Sequence, residues 1–191
     1  KNVYSLFDNN QSKKIILNIF PELKYYERLN KINSLDKKLK DKYDNHLILA
    51  LLVIDQSNNY EYFCHKYKTS NSIKKRFKNI SKNFKDLENK KFYSKENIKK
   101  LIYLSNKDDV EDLLLFSACA NNKIETAIIE KLVDYVSTCE IPKFPISGDY
   151  LKNHGYETGE TLGNKLKLLE EKWIANNFVL DEKILEKSLK N

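Results

Sequence analysis

The stretch SIKKRFKNISKNFKDL, Ser72–Leu87, decides the fold class of this chain. Its apolar residues are Ile73, Phe77, Ile80, Phe84 and Leu87. Steps of four, three, four and three put them on one side of an α-helix, within an arc of roughly 80° at about 100° per residue. Ser70 or Asn71 suits the N-cap, where a side-chain oxygen meets the free N–H groups of the first turn. Lys74, Lys78 and Lys85 fall on one flank of the polar side, with Lys75 and Lys82 beyond them. Arg76 lies at the edge of the apolar side, where its stem is expected to pack while its head stays wet. The stretch therefore predicts a helix with one core face and a continuous lysine stripe. Lysine is a point charge suited to phosphate oxygens and poor at reading base edges. The stripe predicts contact with a nucleic-acid backbone and little sequence preference; the plain alternative is a solvated face.

The charge around this helix is uneven. Residues 66–100 carry thirteen basic and three acidic side chains, whereas residues 101–140 carry three basic and eight acidic ones. The whole chain has a net charge of +7. Arg28 and Arg76 are the only arginines among 34 basic residues, and Asn, Ile and Tyr are abundant. That usage fits an AT-rich genome, which raises lysine everywhere but does not segregate it. A one-sided field of this kind suits a polyanionic partner.

Working outward, the remainder also reads as helical. A chain of 191 residues with only 4 Gly and 3 Pro, 32% charged, lacks the turn residues of a sandwich or barrel. No segment alternates long enough to claim a strand. Leu47–Ile54 (LILALLVI) is apolar all round and predicts a short buried helix, with His46 at its start. Asn106–Asp109 predicts a cap and an acidic first turn for a helix over Val110–Ala120. On that helix Asp109 and Glu111 stand about 200° apart and do not converge on a metal. Ile124, Ile128, Leu132 and Tyr135 predict a helix to about Ser137. Leu162, Leu166, Leu169 and Trp173 predict another, with Trp173 in the core. Cys64, Cys119 and Cys139 have no metal-type spacing and suit free thiols in a reducing cytoplasm. No apolar run approaches the roughly 18–20 residues of a membrane span, and no secretory signal opens the chain. The absence of methionine and the start at Lys1 suggest a piece of a longer protein. The expected fold is all-α, with a multi-helix body over 1–140 and a glycine-punctuated helical tail over 141–191.

All four glycines, Gly148, Gly155, Gly159 and Gly163, lie in that tail. Gly155 is placed as the C′ residue of a short helix from about Gly148. Thr158 is placed to cap the next helix, with Thr161 and Leu162 in its first turn. Gly163, inside that helix, costs about 1 kcal/mol relative to Ala, which a close backbone contact would offset. The free N–H groups at the second helix's start can accept a phosphate. Gly155, Thr158 and Gly159 are therefore candidate nucleic-acid contacts; the alternative is a hairpin that only packs.

The tail also resembles a known family. Phe144-Pro-Ile-Ser-Gly-Asp-Tyr-Leu151, then Gly155, Gly159 and Gly163, then Leu166, Leu169 and Trp173, resembles the C-terminal end of class II tRNA nucleotidyltransferases. These are the CCA-adding enzymes and their bacterial poly(A) polymerase relatives. The family pattern is roughly F-P-[IV]-S-G-x-D-[IVL], followed by three glycines four apart; here Asp149 follows Gly148 directly and Tyr150 takes the usual Asp position. Weaker likenesses precede it in order. Ile19-Phe20-Pro21-Glu22-Leu23 is similar to the family's L-P-E. Thr69-Ser70-Asn71 with Lys74-Lys75-Arg76-Phe77 is similar to its L-S-N…R-x-R-L. Leu101-Ile102-Tyr103 with Asp112-Leu113-Leu114-Leu115 is similar to its L-x-Y…D-x-L-L-L.

The resemblance implies an all-helical body and tail that hold the tRNA elbow and acceptor stem. A separate N-terminal head would carry the catalytic carboxylates, Mg²⁺ and the CTP/ATP template. The sequence has no Gly-Ser followed by Asp-x-Asp and no nucleotide-selecting motif. The chain is therefore expected to be inactive alone, with no catalytic residue, metal or cofactor of its own. Its expected partners are tRNA and the missing head, in the cytoplasm and away from membranes. The residues expected to meet phosphate are Lys74, Lys75, Lys78, Lys82 and Lys85, with the Gly155–Gly159 turn second. The alternatives are a helical protein-interaction domain and a general helix–hairpin–helix-like duplex binder.

Overall fold

The computed structural model describes residues 5–180, and contacts divide them into two compact units, one ending at Cys139 and one beginning at Glu140. The fold is all-α, with no strand among the described residues.

The first unit runs α1 (Ser5–Asp8), α2 (Asn10–Ile19), α3 (Arg28–Ser34), α4 (Lys37–Lys40), α5 (Asn45–Val53), α6 (Asn59–Lys66) and α7 (Asn71–Asn83). Two 3₁₀ turns follow, Asp86–Glu88 and Lys90–Tyr93, then α8 (Lys95–Leu104), α9 (Lys107–Ala120) and α10 (Thr126–Thr138). α9 is the central element. Val110 and every residue from Leu113 to Cys119 are buried on it, so it is apolar on all sides past its first turns. α3, α5, α7, α8 and α10 pack around it. A helix enclosed this way must be apolar all round, and the sequence LLLFSACA supplies that. Asn106 caps it as expected, accepting the Asp109 N–H at 2.8 Å. α5 is likewise enclosed, with Leu47, Ala50, Leu51, Leu52 and Val53 buried and Asp44 as its N-cap. His46 is exposed in its first turn. α10 begins two residues later than its stripe predicted, and Ile128 on that stripe is 40% exposed.

Three polar ties lock this core. The Arg28 guanidinium donates from Nη1 to the carbonyls of Leu51 (2.9 Å) and Ile54 (2.7 Å) at the C-terminal end of α5, and stacks 4.1 Å from the Tyr25 ring centroid. A cation there satisfies carbonyls that lack helical partners. Glu22 is buried and accepts from Lys66 Nζ (2.8 Å) and the Tyr67 hydroxyl (2.9 Å), tying the 21–24 turn to α6. Buried Asn121 donates to Leu87 O at 2.6 Å, holding the first 3₁₀ turn against the end of α9.

The second unit is a hairpin of α11 (Gly148–Lys152) and α12 (Glu160–Ala175). Ile146, Leu151 and Leu169 form its core, with Leu162 and Leu166 against them. Trp173 is buried beside Phe144 and Phe178, with ring centroids at 5.3 and 5.0 Å. Gly155 takes φ 88° just past the end of α11. The Tyr156 N–H reaches back to Leu151 O (3.2 Å) and the Gly155 N–H to Lys152 O (3.0 Å). These are the paired bonds of a Schellman motif, and Gly155 is its C′ residue as the sequence predicted. Two expectations in this unit are corrected. Thr158 is exposed and does not cap α12; Gly159 holds the N-cap position at φ 151° with no side-chain cap bond. The space a methyl group would fill at Gly163 has no neighbouring atom within 4 Å, so no close contact offsets its helix cost.

Candidate nucleic-acid interface

The lysine helix is real but shorter than the apolar steps implied. α7 ends at Asn83, where the side-chain Nδ2 donates to Asn79 O at 2.8 Å and competes for a helical carbonyl. Phe84 and Lys85 then turn, and Leu87 reaches the core through the first 3₁₀ turn instead. Lys74, Lys75, Lys78 and Lys82 therefore sit on α7, and Lys85 sits on the turn beyond it.

Local rules fix where α7 starts. Lys68 takes φ 49° after α6, and the Thr69 N–H bonds Cys64 O at 3.1 Å. This ends α6 with a left-handed residue, here without glycine's freedom. Ser70 then caps α7, its Oγ accepting the Ile73 N–H at 3.4 Å. Phe77 and Ile80 are wholly buried, each worth roughly 1.5–3 kcal/mol of burial. With that face inward, helix geometry puts the four lysines of α7 within an arc of roughly 100° on the opposite side, along a rise of about 12 Å.

All five lysines are exposed, and none forms an ion pair among the described residues. The acidic segment that follows does not neutralise them. Asp112 and Asp44 hold Arg76, Glu111 holds Lys42 with both oxygens at 2.9 Å, and Asp134 holds Lys38 at 2.5 Å. Glu111, Asp112 and Asp134 are thus engaged by cations outside the stripe, and no carboxylate of α9 or α10 pairs with a stripe lysine among the described residues.

Arg76 corrects the sequence reading. Its head, on a side chain 22% exposed, is engaged by two carboxylates rather than by water alone. Nη2 donates to Asp112 Oδ1 at 2.5 Å, Nε donates to Asp112 Oδ2, and Nη1 donates to Asp44 Oδ2 at 2.5 Å. The hydrogen bonds to Asp112 hold the guanidinium charged well above its ordinary range. Burial pushes the Asp112 carboxyl up even with the guanidinium against it. This fork joins α7 to α9 and to the cap of α5, so the lysine face is carried on a helix fixed at its middle. Residue spacing alone could not pair positions 36 apart. Glu22 was missed for the same reason, although a glutamate between Pro21 and Leu23 was its one visible signal. Burial raises the Glu22 carboxyl, and hydrogen bonds from Lys66, its own backbone and Tyr67 more than reverse this, leaving it below its ordinary value.

The tail candidates lie in the second unit. Gly155, Thr158 and Gly159 are exposed around the start of α12, and Glu160 puts a carboxylate in that first turn. A carboxylate there already meets part of the positive end of the helix. All three cysteines are buried and outside any disulfide, and burial pushes the Cys119 thiol up to about 11. No group of three His, Cys, Asp or Glu side chains among the described residues could hold a metal ion. No helix among them is long and apolar enough to cross a membrane.

The site thus belongs to a class: an all-α protein presenting an unneutralised lysine face on one buried-backed helix. Compared with known protein families, curated proteins and solved structures, the chain finds no match.

Proposed function

We propose that this chain is the tRNA-binding body and tail of a cytoplasmic CCA-adding tRNA nucleotidyltransferase or a bacterial poly(A) polymerase of that superfamily. In this reading it positions the tRNA elbow and acceptor stem while a separate head adds nucleotides to the 3′ end. The observation that carries it is the lysine face of α7, exposed, unpaired and fixed on its inner side. Such a surface fits the phosphates of an A-form helix, which is recognised by shape and backbone contact. The tail likeness adds the family. The likenesses around Arg76 and around Asp112 concern two residues that bond each other, which supports reading them together.

No nucleotidyl-transfer step is assigned to this chain in the proposal. Mg²⁺ and CTP or ATP belong to the head in this proposal. The role of Lys74, Lys75, Lys78, Lys82 and Lys85 is phosphate contact; that of Gly155, Thr158 and Gly159 is a second backbone contact.

The test is a fluorescence-anisotropy titration of labelled tRNA, a DNA duplex and an unstructured RNA of equal charge, at several salt concentrations. Preference for tRNA with a steep salt slope supports the proposal. Equal binding to both duplexes supports the general duplex binder, and no binding at low salt supports the protein-interaction domain.

A further inference from the structure

The second unit carries a two-layer aromatic stack at the end of α11. Tyr150 packs on the core that Leu151, wholly buried, helps to form. The His154 imidazole lies on the Tyr150 ring, with centroids 4.4 Å apart and planes 30° from parallel. His154 is exposed, and among the described residues no third ring covers it. We infer that His154 on Tyr150 is a stacking shelf for one unpaired nucleobase of an RNA strand. The inference deepens the RNA-binding reading and rests on it for the source of the base.

The imidazole is already fixed in place. The chain around it is closed by hydrogen bonds: Asn153 N–H to Asp149 O (3.1 Å), His154 N–H to Leu151 O (3.0 Å) and Gly155 N–H to Lys152 O (3.0 Å). The side chain adds a bond of its own, between Nδ1 and Tyr150 O at 2.8 Å. A carbonyl only accepts, so Nδ1 carries the proton and donates. An exposed side chain ordinarily keeps its rotamer freedom. Here the closed turn, the hydrogen bond and the phenol beneath have already removed it, so a ligand that stacks on the ring meets little further ordering cost.

Shape and charge select the class of ligand. The shelf is a face with an open edge: Gly155 follows it, and no atom lies within 4 Å of where a Cβ on that residue would be. An aromatic side chain of a protein partner anchors in a closed, well-packed pocket. A nucleobase gains from a face alone, and histidine is among the rings on which unpaired RNA bases stack. Every base has such a face, so the shelf does not choose among the four. Lys152, the one cation of α11, is held by Asp149 at 3.1 Å. The shelf therefore acts through stacking rather than charge, unlike the lysine face of α7.

The full chain and its His154→Ala and His154→Phe variants are titrated against labelled tRNA by anisotropy at several salt concentrations, with thermal melts to confirm folding. His154→Ala is expected to bind about tenfold more weakly at every salt concentration, with the salt slope of the parent. His154→Phe, which keeps a ring, is expected to recover most of that loss. In the parent, the His154 ring-proton signals should move upfield as tRNA is added, as those of protons above a stacked base do. If the parent binds tRNA and His154→Ala binds equally well, the shelf is overturned and the RNA reading stands. A loss that His154→Phe does not recover, a loss that changes the salt slope, or ring signals that stay in place on binding overturns the shelf in the same way. No binding of tRNA by the parent at low salt overturns the RNA reading and the shelf with it.

Discussion

Replacing Lys74, Lys75, Lys78 and Lys82 together with glutamine removes the four lysine charges of α7 while keeping polar side chains with good helix propensity. The four side chains are exposed and unpaired among the described residues, so the melting temperature should stay within the scatter of surface substitutions. Nucleic-acid binding should change far more. Each phosphate neutralised on a duplex adds about 0.9 to the slope of log K against log salt, so five lysine contacts give a slope of about −4.5. Between 50 and 200 mM salt that slope weakens binding about 500-fold. With Lys85 alone remaining, the slope falls to about −0.9 and the same salt step costs about three- to fourfold. The assay is anisotropy of a labelled tRNA acceptor minihelix across that salt range, with circular dichroism to confirm that helix content is kept. A quadruple variant with the parent slope would refute the assignment of phosphate contacts to α7, whatever its affinity at one salt concentration.

The other expectations concern the frame that carries this face. Gly163→Ala should raise the stability of the second unit by about 1 kcal/mol, because its position in α12 is open; Gly155→Ala, at φ 88°, should lower it by about 1–2 kcal/mol. Thermal melts followed by Trp173 fluorescence check both, and a loss in the first or a gain in the second contradicts the local geometry. Arg76→Met should destabilise the first unit by about 2–3 kcal/mol, since Asp112 is left half-buried without its partner. Arg76→Lys should recover only part of that, lacking the planar fork, and full recovery in urea melts would contradict it. Glu22 titrates below its ordinary value of 4.5 in the folded chain, so it contributes stability that is present above pH 4.5 and lost as pH falls through its folded value. Glu22→Gln should therefore flatten the fall in unfolding midpoint below pH 4.5, and an unchanged acid limb would count against the buried tie to Lys66 and Tyr67.

Periodicity made much of the frame legible. The apolar run at Leu47–Ile54, the cap at Asn106 and the C′ glycine at Gly155 all depend on neighbours in the chain, and each is where the sequence puts it. Chain-local signals also failed where a better local partner existed. The apolar steps run on to Leu87, but Asn83 takes a carbonyl of its own last turn and α7 stops there. Thr158 is a good capping residue, yet Gly159 occupies the cap because the chain turns at φ 151°. The centrality of α9, the Arg76 fork and the Glu22 tie depend on residues tens of positions apart. No pattern within a window of one helix carries them. The lysine face is an intermediate case: its residues were readable, but that Glu111, Asp112 and Asp134 are engaged by other cations required the three-dimensional arrangement.

The two arginines mark a boundary in how this sequence can drift. Thirty-two of its 34 basic positions are lysine. Arg28 and Arg76 are the exceptions, and both face inward toward acceptors that lie in more than one direction. At Arg28 one end of a flat cation bonds two carbonyls while its plane rests on an aromatic ring; at Arg76 three nitrogens meet two carboxylates. A lysine ammonium cannot meet either set of demands in one placement. A point-mutation scan should therefore divide the basic residues in two. On the α7 face arginine and lysine should exchange freely, since a phosphate accepts either cation. At 28 and 76 they should not, and mutational tolerance at those two positions would report folding rather than binding.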